Sequence, residues 1–417
     1  MRHFYFSLFA ISFLGQLVAN DVWVKGEYLG WFTKKIPLSH PFVTSGSFED
    51  PLPGALGQRH TKILIGNETL PTKWRNGFSV EAGCWCFPQC GSGLQASYFF
   101  LPNISQTKNA YTSGESGSLN LAVPVFDVTG VFGLNGIPGE TIFILPGPIG
   151  ATPGFEGLFH LNATSKLQGA ELAYCFFIGE SCCFEMDGSI GVEWIQLNES
   201  LLFEGTSHTA VNSPFASNFF NFQDRFKTDN NFVGGTLAFH TAFKKWNWAL
   251  EADFKLGLGA TNERLSIQGV SQTATGNLFF TTVGSRSILL PGGVFAQPTN
   301  IGTYNSHIFA TTIEAHVGLA YQIACFLELS VGYSFFWINR VIRPAHQMDR
   351  AINSTLTALA DESRATVGTG SGPIPFGEPG PAPAPTGCPH PSARFRHCHN
   401  QCDFWAQGLT AGLSIAF

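Results

Sequence analysis

Charge is scarce in this chain. Lysine, arginine, aspartate and glutamate make up 12% of 417 residues, about half the usual share of roughly 25%. The net charge of −6 argues against a nucleic-acid partner, which would require a clustered basic face. Long apolar runs are missing too: after the N-terminus no stretch offers about 20 unbroken apolar residues, so no helical membrane span is available. Catalytic signatures are equally thin. There is no Gly-x-Ser-x-Gly elbow, and Ser207-His208 has no visible third partner. His40, His60 and His307 are the residues left for an acid/histidine set at a barrel rim. The expectation is a chain that is not an enzyme and holds no cofactor.

Against these absences stand 46 Gly, 40 Phe and 9 Trp, with a slightly positive mean hydropathy. A charge-poor, aromatic-rich chain without a spanning helix is either a very large β-core or a membrane β-barrel. Arg2 and His3 precede an apolar run from Phe4 to Val18, then Ala19 and the polar Asn20-Asp21. That layout predicts a secretory signal peptide over 1–19; a membrane anchor is the other reading. Residues 20–417 are then one barrel domain.

The period-2 signal is clearest near the end. In "DFWAQGLTAGLSIAF" (403–417), Trp405, Leu409, Ala411, Leu413, Ile415 and Phe417 share one face, and small residues share the other. From 326 to 337, Leu327, Leu329, Val331, Tyr333, Phe335 and Trp337 oppose Glu328, Ser330, Gly332 and Ser334. From 246 to 259, Trp248, Leu250, Phe254, Leu256 and Leu258 oppose Glu251, Asp253 and Lys255. Alternation over about 10 residues is what a tilted strand needs to cross a bilayer. Extending the count predicts strands near 22–32, 77–87, 94–101, 166–178, 183–197, 231–243, 246–260, 307–321, 326–338 and 403–417. Short connections alternate with long ones, as in outer-membrane barrels with short periplasmic turns and long outer loops. The fold class expected is all-β: a transmembrane, antiparallel, up-and-down barrel of ten strands. Twelve is the alternative, with a further hairpin in 102–165 built from "TIFIL" and "GLFHL". Outer loops are expected at 34–75, 102–153, 199–230, 261–306 and 339–402, the last with a Gly/Pro-rich stretch. Trp246, Trp248, Tyr321 and Phe326 fall near short turns, and Trp31, Trp194, Trp337 and Trp405 near long loops, as two interfacial girdles would.

Several segments carry a resemblance: "VWVKGEYLGWF" (22–32), "PLPGALGQRHTKILIGN" (51–67), "NGFSVEAGCW" (76–85), "QASYFFL" (95–101), "FLELSVGYSFFWINRVIRPAHQMDRAIN" (326–353) and the ending quoted above. Together they resemble a β-barrel porin family found mainly in planctomycetes and related bacteria. The cysteine-rich turns depart from its pattern. The resemblance implies an outer-membrane barrel in a Gram-negative-type envelope, without naming a solute. It also implies that a last strand ending in Phe417 resembles the signal read by barrel-assembly machinery.

If the apolar faces meet lipid, the opposite faces line the lumen. They carry Lys25, Glu27, Glu81, Glu171, Glu185, Asp187, Glu193, Glu251, Asp253, Lys255, Glu314, His316 and Glu328. An acid-rich lumen favours cations, although barrels near eight strands are filled by side chains and ten leave little room. Arg340, Arg343, Asp349 and Arg350 leave one strand together and are candidates for a plug over that lumen. Of ten cysteines, Cys84, Cys86, Cys90, Cys175, Cys182, Cys183 and Cys325 crowd the short turns. Cys388, Cys398 and Cys402 sit in one outer segment with His390, His397 and His399, at a spacing that matches no zinc pattern. All ten are disulfide candidates, and the rim group is a candidate for cross-links to neighbouring envelope proteins. Two functions stay open: narrow, cation-leaning passive diffusion of small solutes, or a non-conducting structural or surface-displaying envelope protein.

Overall fold

A computed structural model describes residues 22–71, 73–87, 91–133, 136–215, 219–274, 287–356 and 400–417. The expected signal peptide, Cys90, Cys388, Cys398 and the Gly/Pro-rich stretch lie outside the described residues.

Ten long strands form the frame: β1 (Val22–Thr33), β2 (Arg75–Phe87), β3 (Ser92–Thr112), β4 (Thr152–Ser181), β5 (Phe184–Thr209), β6 (Phe219–Lys245), β7 (Trp248–Ala274), β8 (Gly302–Ala324), β9 (Leu327–Ile342) and β10 (Gln401–Ala416). Each pairs antiparallel with the next, and β10 pairs back onto β1. In its turn-side half the ring therefore closes on itself, which removes the unpaired backbone groups a bilayer cannot satisfy. Both ends of the ring meet at one rim, where the Phe417 amide donates to the Val22 carbonyl at 2.8 Å. The short turns share this rim, which by the barrel convention is periplasmic.

Ten strands, not twelve, make the barrel. "GLFHL" lies within β4, while Gly139–Ile142 pairs with Pro124–Asp127 in a small separate sheet that Ala351–Ile352 extends. A second small sheet joins Ile36–Gly46, Lys62–Leu70 and Asn120–Ala122. Both sheets belong to a cap over the far end.

The strands run well beyond the ends that alternation predicts, because the alternation changes sign along them. On β5 the outward side chains are Phe184, Ile190, Val192 and Trp194, then Gln196, Asn198, Ser200 and Glu204; the inward ones are Glu185, Asp187 and Glu193, then Ile195, Leu197, Leu201 and Phe203. β6 inverts in the same way, with Val233, Leu237, Phe239 and Phe243 outward below Asn231, Asp229, Lys227 and Arg225. The barrel thus has two storeys. The lower is apolar outside and polar inside over about 11 residues of β5, the length of a bilayer crossing. The upper is polar outside and apolar inside, as a water-exposed sheet around a core must be. Much of 199–230 and 261–306, expected as loop, is this upper storey: β5 continues to Thr209, β6 begins at Phe219, and β7 runs to Ala274.

The upper core joins Phe159, Leu161, Phe203, Phe222, Phe226 and Leu265 to cap residues Phe42, Val123, Val294 and Phe295. Phe203 lies 5.2 Å from Phe222 and 5.3 Å from Phe42, ring centre to ring centre. Each fully buried Phe contributes about 1.5–3 kcal/mol, so the cap is held by the same forces as a soluble core.

Candidate functional site

The lower storey encloses a cavity of about 460 Å³ that reaches the turn-end rim. The thirteen lumen residues expected from the alternation, Lys25 among them, line it. Ten carboxylates (Glu27, Glu81, Glu171, Glu185, Asp187, Glu193, Glu251, Asp253, Glu314 and Glu328) share the wall with two lysines, Lys25 and Lys255, and two histidines, His240 and His316.

Lys255 organises the upper part of this chamber. Its ammonium stands 2.8 Å from Glu314, 2.9 Å from Glu171 and 3.4 Å from Glu193. Thr236 donates to Glu171 at 2.8 Å, and Thr312 donates to Glu193. Glycine makes this possible on β7: a Cβ at Gly257 would fall 2.2 Å from the Glu193 Oε1 and 2.1 Å from the Thr312 hydroxyl. Lower down, Lys25 pairs with Glu27 at 2.9 Å, Trp23 donates to Glu81 at 3.3 Å, and His240 pairs with Asp253. Lys244 meets Glu185 at the rim. Among the described residues, the Glu251 and Glu328 side chains make no hydrogen bond or ion pair, and the acids lining the chamber outnumber its lysines and histidines.

Directly above lies an apolar layer. Leu29, Trp31, Leu167, Ile195, Leu197, Phe232, Phe336, Val341 and Phe404 converge from the strands into one apolar layer; Phe232, Val341 and Phe404 are each 0% exposed. Trp31 therefore belongs to this layer and not to the outer girdle, where its position near a long loop had placed it.

A bulge at the top of β9 supplies the next seal. The β9–β10 register slips between Ile338 and Val341, Arg340 takes φ +49°, and the chain after it turns inside the ring. Of the four plug candidates, Arg340 points outward and donates to the Phe309 carbonyl at 3.3 Å. Arg343 points inward and is buried, donating from Nε and Nη2 to the two oxygens of Glu199 at 2.8 and 2.7 Å and from Nη1 to the Lys35 carbonyl at 2.6 Å. Its partner is a carboxylate above the apolar layer, not one of the chamber acids. Arg350 pairs with Glu140 in the cap, and Asp349 caps the Ala351 amide. Asn230 and Gln297 fasten the same segment, each side-chain amide accepting from the N–H and donating to the C=O of one residue, Ile342 (2.8 and 2.9 Å) and Asn353 (2.9 and 3.1 Å) respectively. Amides among apolar neighbours gave no alternation signal to mark them, and Gly257 was invisible for the same reason.

Cys84 and Cys86 form the one close cysteine pair among the described residues, with Cα atoms 5.3 Å apart. Cys182 and Cys325 are exposed in two turns of the same rim, Cys183 is half-buried beside the first, and Cys175 is buried. Cys402 lies in β10 near the top of the ring, opposite Val341. Ser207 faces the core and His208 the outside, as neighbours on a strand must, so the two cannot act on one substrate. His208 instead meets Glu156 at 3.1 Å, His60 pairs with Asp50 at 3.1 Å, and His40 and His307 join neither.

Solved structures with a similar course of chain include the outer membrane protease OmpT from Escherichia coli (8% identity, 96% of this chain and 98% of that one, TM-score 0.37). The P. putida toluene transporter TodX is another (7%, 95% and 89%, 0.21), as is a Pseudomonas aeruginosa FadL homologue (7%, 95% and 90%, 0.22). No curated protein matches. A family model described as "Putative beta barrel porin-7 (BBP7)" matches residues 23–372. With ten strands closed into a ring, an apolar outer band and a polar lower lumen, the chain belongs to this β-barrel porin family of the bacterial outer membrane.

Proposed function

We propose that this protein is a porin-type outer-membrane barrel that is closed at rest, holding a folded cap at the cell surface above an acidic chamber that faces the periplasm. The observation that supports this is the apolar layer across the lumen, in which Phe232, Val341 and Phe404 are 0% exposed. No residue has a catalytic role in this reading. Single-channel recording in planar bilayers tests it. Folded protein, verified by heat-modifiable migration, is expected to be silent; regular conductance steps would refute closure.

A second reading rests on the chamber itself. Ten carboxylates against two lysines would favour cations in any conformation that displaced the segment after β9, and steps with cation preference would support it. For partners, Cys182, Cys183 and Cys325 at the rim stand where envelope neighbours could be cross-linked, two thiols passing two electrons and two protons to a periplasmic oxidant. Isolated envelopes run with and without reductant test this, and identical monomer migration would refute it.

A further inference from the structure

The outward faces of β4, β6 and β7 change from apolar to polar at Ala170/Gln168, Val233/Asn231 and Ala260/Asn262, which places the outer lipid boundary on the barrel wall. Just above this line the wall is basic. Lys166, Arg225, Lys227 and Arg264 project outward, all exposed except the half-buried Lys166. None has a carboxylate within ion-pair distance among the described residues. Two outward acids lie nearby: Asp229, opposite Arg264 in the ladder, accepts from Gln196 at 3.3 Å and Asn231 at 3.0 Å, and Glu204, diagonal to Arg225, accepts from Gln223.

The register shows how tightly these cations are grouped. Asn198 on β5 lies between Lys166 and Asp229, and Ser200 faces Lys227, which faces Ser266 in turn. Directly opposed side chains on a sheet stand about 5 Å apart and next-but-one neighbours about 7 Å. Four cations with two hydroxyls between them therefore occupy one patch across four strands. Lys166 leans down to the boundary, its ammonium 5.2 Å from the ring centre of Phe100. A soluble surface would pair such cations or scatter them. Here they are gathered unpaired at the height of the lipid head groups.

We infer that this patch on β4–β7 docks the phosphate groups of an outer-leaflet glycolipid. The ligand is identified by charge complementarity and position: unpaired guanidinium and ammonium groups beside hydroxyl donors suit a phosphate monoester, and the adjoining apolar wall receives the acyl chains. Each cation near a charged leaflet adds about 1 kcal/mol, or roughly fivefold in retention.

The test uses the full chain reconstituted in zwitterionic phospholipid vesicles containing either diphosphorylated lipid A or the same lipid with its phosphates removed enzymatically. Lipid retained after detergent extraction is counted by native mass spectrometry. Wild type should retain the phosphorylated form preferentially. The Arg225→Gln/Lys227→Gln/Arg264→Gln variant should lose that preference by on the order of a hundredfold, and Lys227→Arg should keep it. Heat-modifiable migration verifies that each variant is folded. Equal retention of both lipids by wild type would overturn the inference, as would undiminished preference in the folded triple variant.

Discussion

Replacing Arg343 with methionine isolates the contribution of the seal above the apolar layer. Arg343 and Glu199 have side chains 1% exposed, and the guanidinium makes two hydrogen bonds to the carboxylate and one to the Lys35 carbonyl. Methionine fills much of the same volume against Phe404, whose ring centre lies 5.8 Å from the guanidinium carbon. The packing loss is thus small and the electrostatic loss dominates. An unpaired buried charge costs about 3–5 kcal/mol, which raises local opening of the segment after β9 by about two to nearly four powers of ten. The Arg343→Met/Glu199→Met double variant removes both charges and should recover most of this, apart from about 1 kcal/mol for the Lys35 carbonyl left without its donor.

Amide hydrogen exchange in micelles reads the opening directly. The Phe126 and Val128 amides donate to the carbonyls of Arg350 and Ile352, so their protection reports whether the strap stays docked. Their protection should collapse in the single variant and return in the double, while lower-storey amides of β5 and β6 stay unchanged. A change of less than tenfold in Arg343→Met, or a double variant as labile as the single, would refute the assignment of the pair as the latch.

Asp224 in the upper core accepts from the amides of Val294, Phe295 and Ala296 at 3.0, 2.8 and 3.2 Å, yet burial pushes its carboxyl from 3.8 up to about 7. The folded state then binds the extra proton between these values, so stability from this site falls as pH rises from about 4 to about 7 and is flat above. Exchange protection of those three amides, corrected for intrinsic rates, should fall across that window and stay level in Asp224→Asn; a rise would refute it. Gly257→Ala should lower the thermal midpoint by forcing Glu193 and Thr312 apart, at a cost of about 1–3 kcal/mol, whereas Gly26→Ala, with nothing within 4 Å of its Cβ, should be near neutral; equal effects would refute the steric account. Phe417→Asp places a charge where the amide of Phe417 closes the ring and should reduce membrane assembly; unchanged heat-modifiable migration would count against it.

Alternation located every strand of the barrel but misjudged where most of them stop. Apolar side chains face lipid on β7 from Trp248 to Leu258. Beyond Ala260 the solvent outside the wall changes from lipid to water while the hydrogen-bonded ladder continues. Asn262, Arg264, Ser266 and Gln268 now face out, and Leu265 and Ile267 face in. A search for a single phase of alternation reads that inversion as a loop. The same period with opposite sign was present in the residues all along: Phe220, Phe222 and Phe226 against Asn221, Gln223, Arg225 and Lys227. Two phases of one period, joined at a boundary, are the signature of a barrel taller than its membrane.

The chamber was visible for a related reason. A charge on an otherwise apolar alternating strand has only one place to go, so the alternation assigns thirteen residues on seven different strands to one space. What closes that space follows a different logic. Arg343 enters the lumen only because the bulge at Asn339–Arg340 reverses the parity of the chain, with the Asn339 side chain accepting from the Thr311 amide at 2.8 Å. Glu199, Asn230 and Gln297 then meet it or its neighbours from positions 144, 112 and 56 residues away. Period-2 reasoning carries information along one strand at a time. A contact set assembled by a single bulge and three distant side chains leaves no periodic trace, so alternation alone could not assign Glu199, Asn230 and Gln297 to the segment after β9.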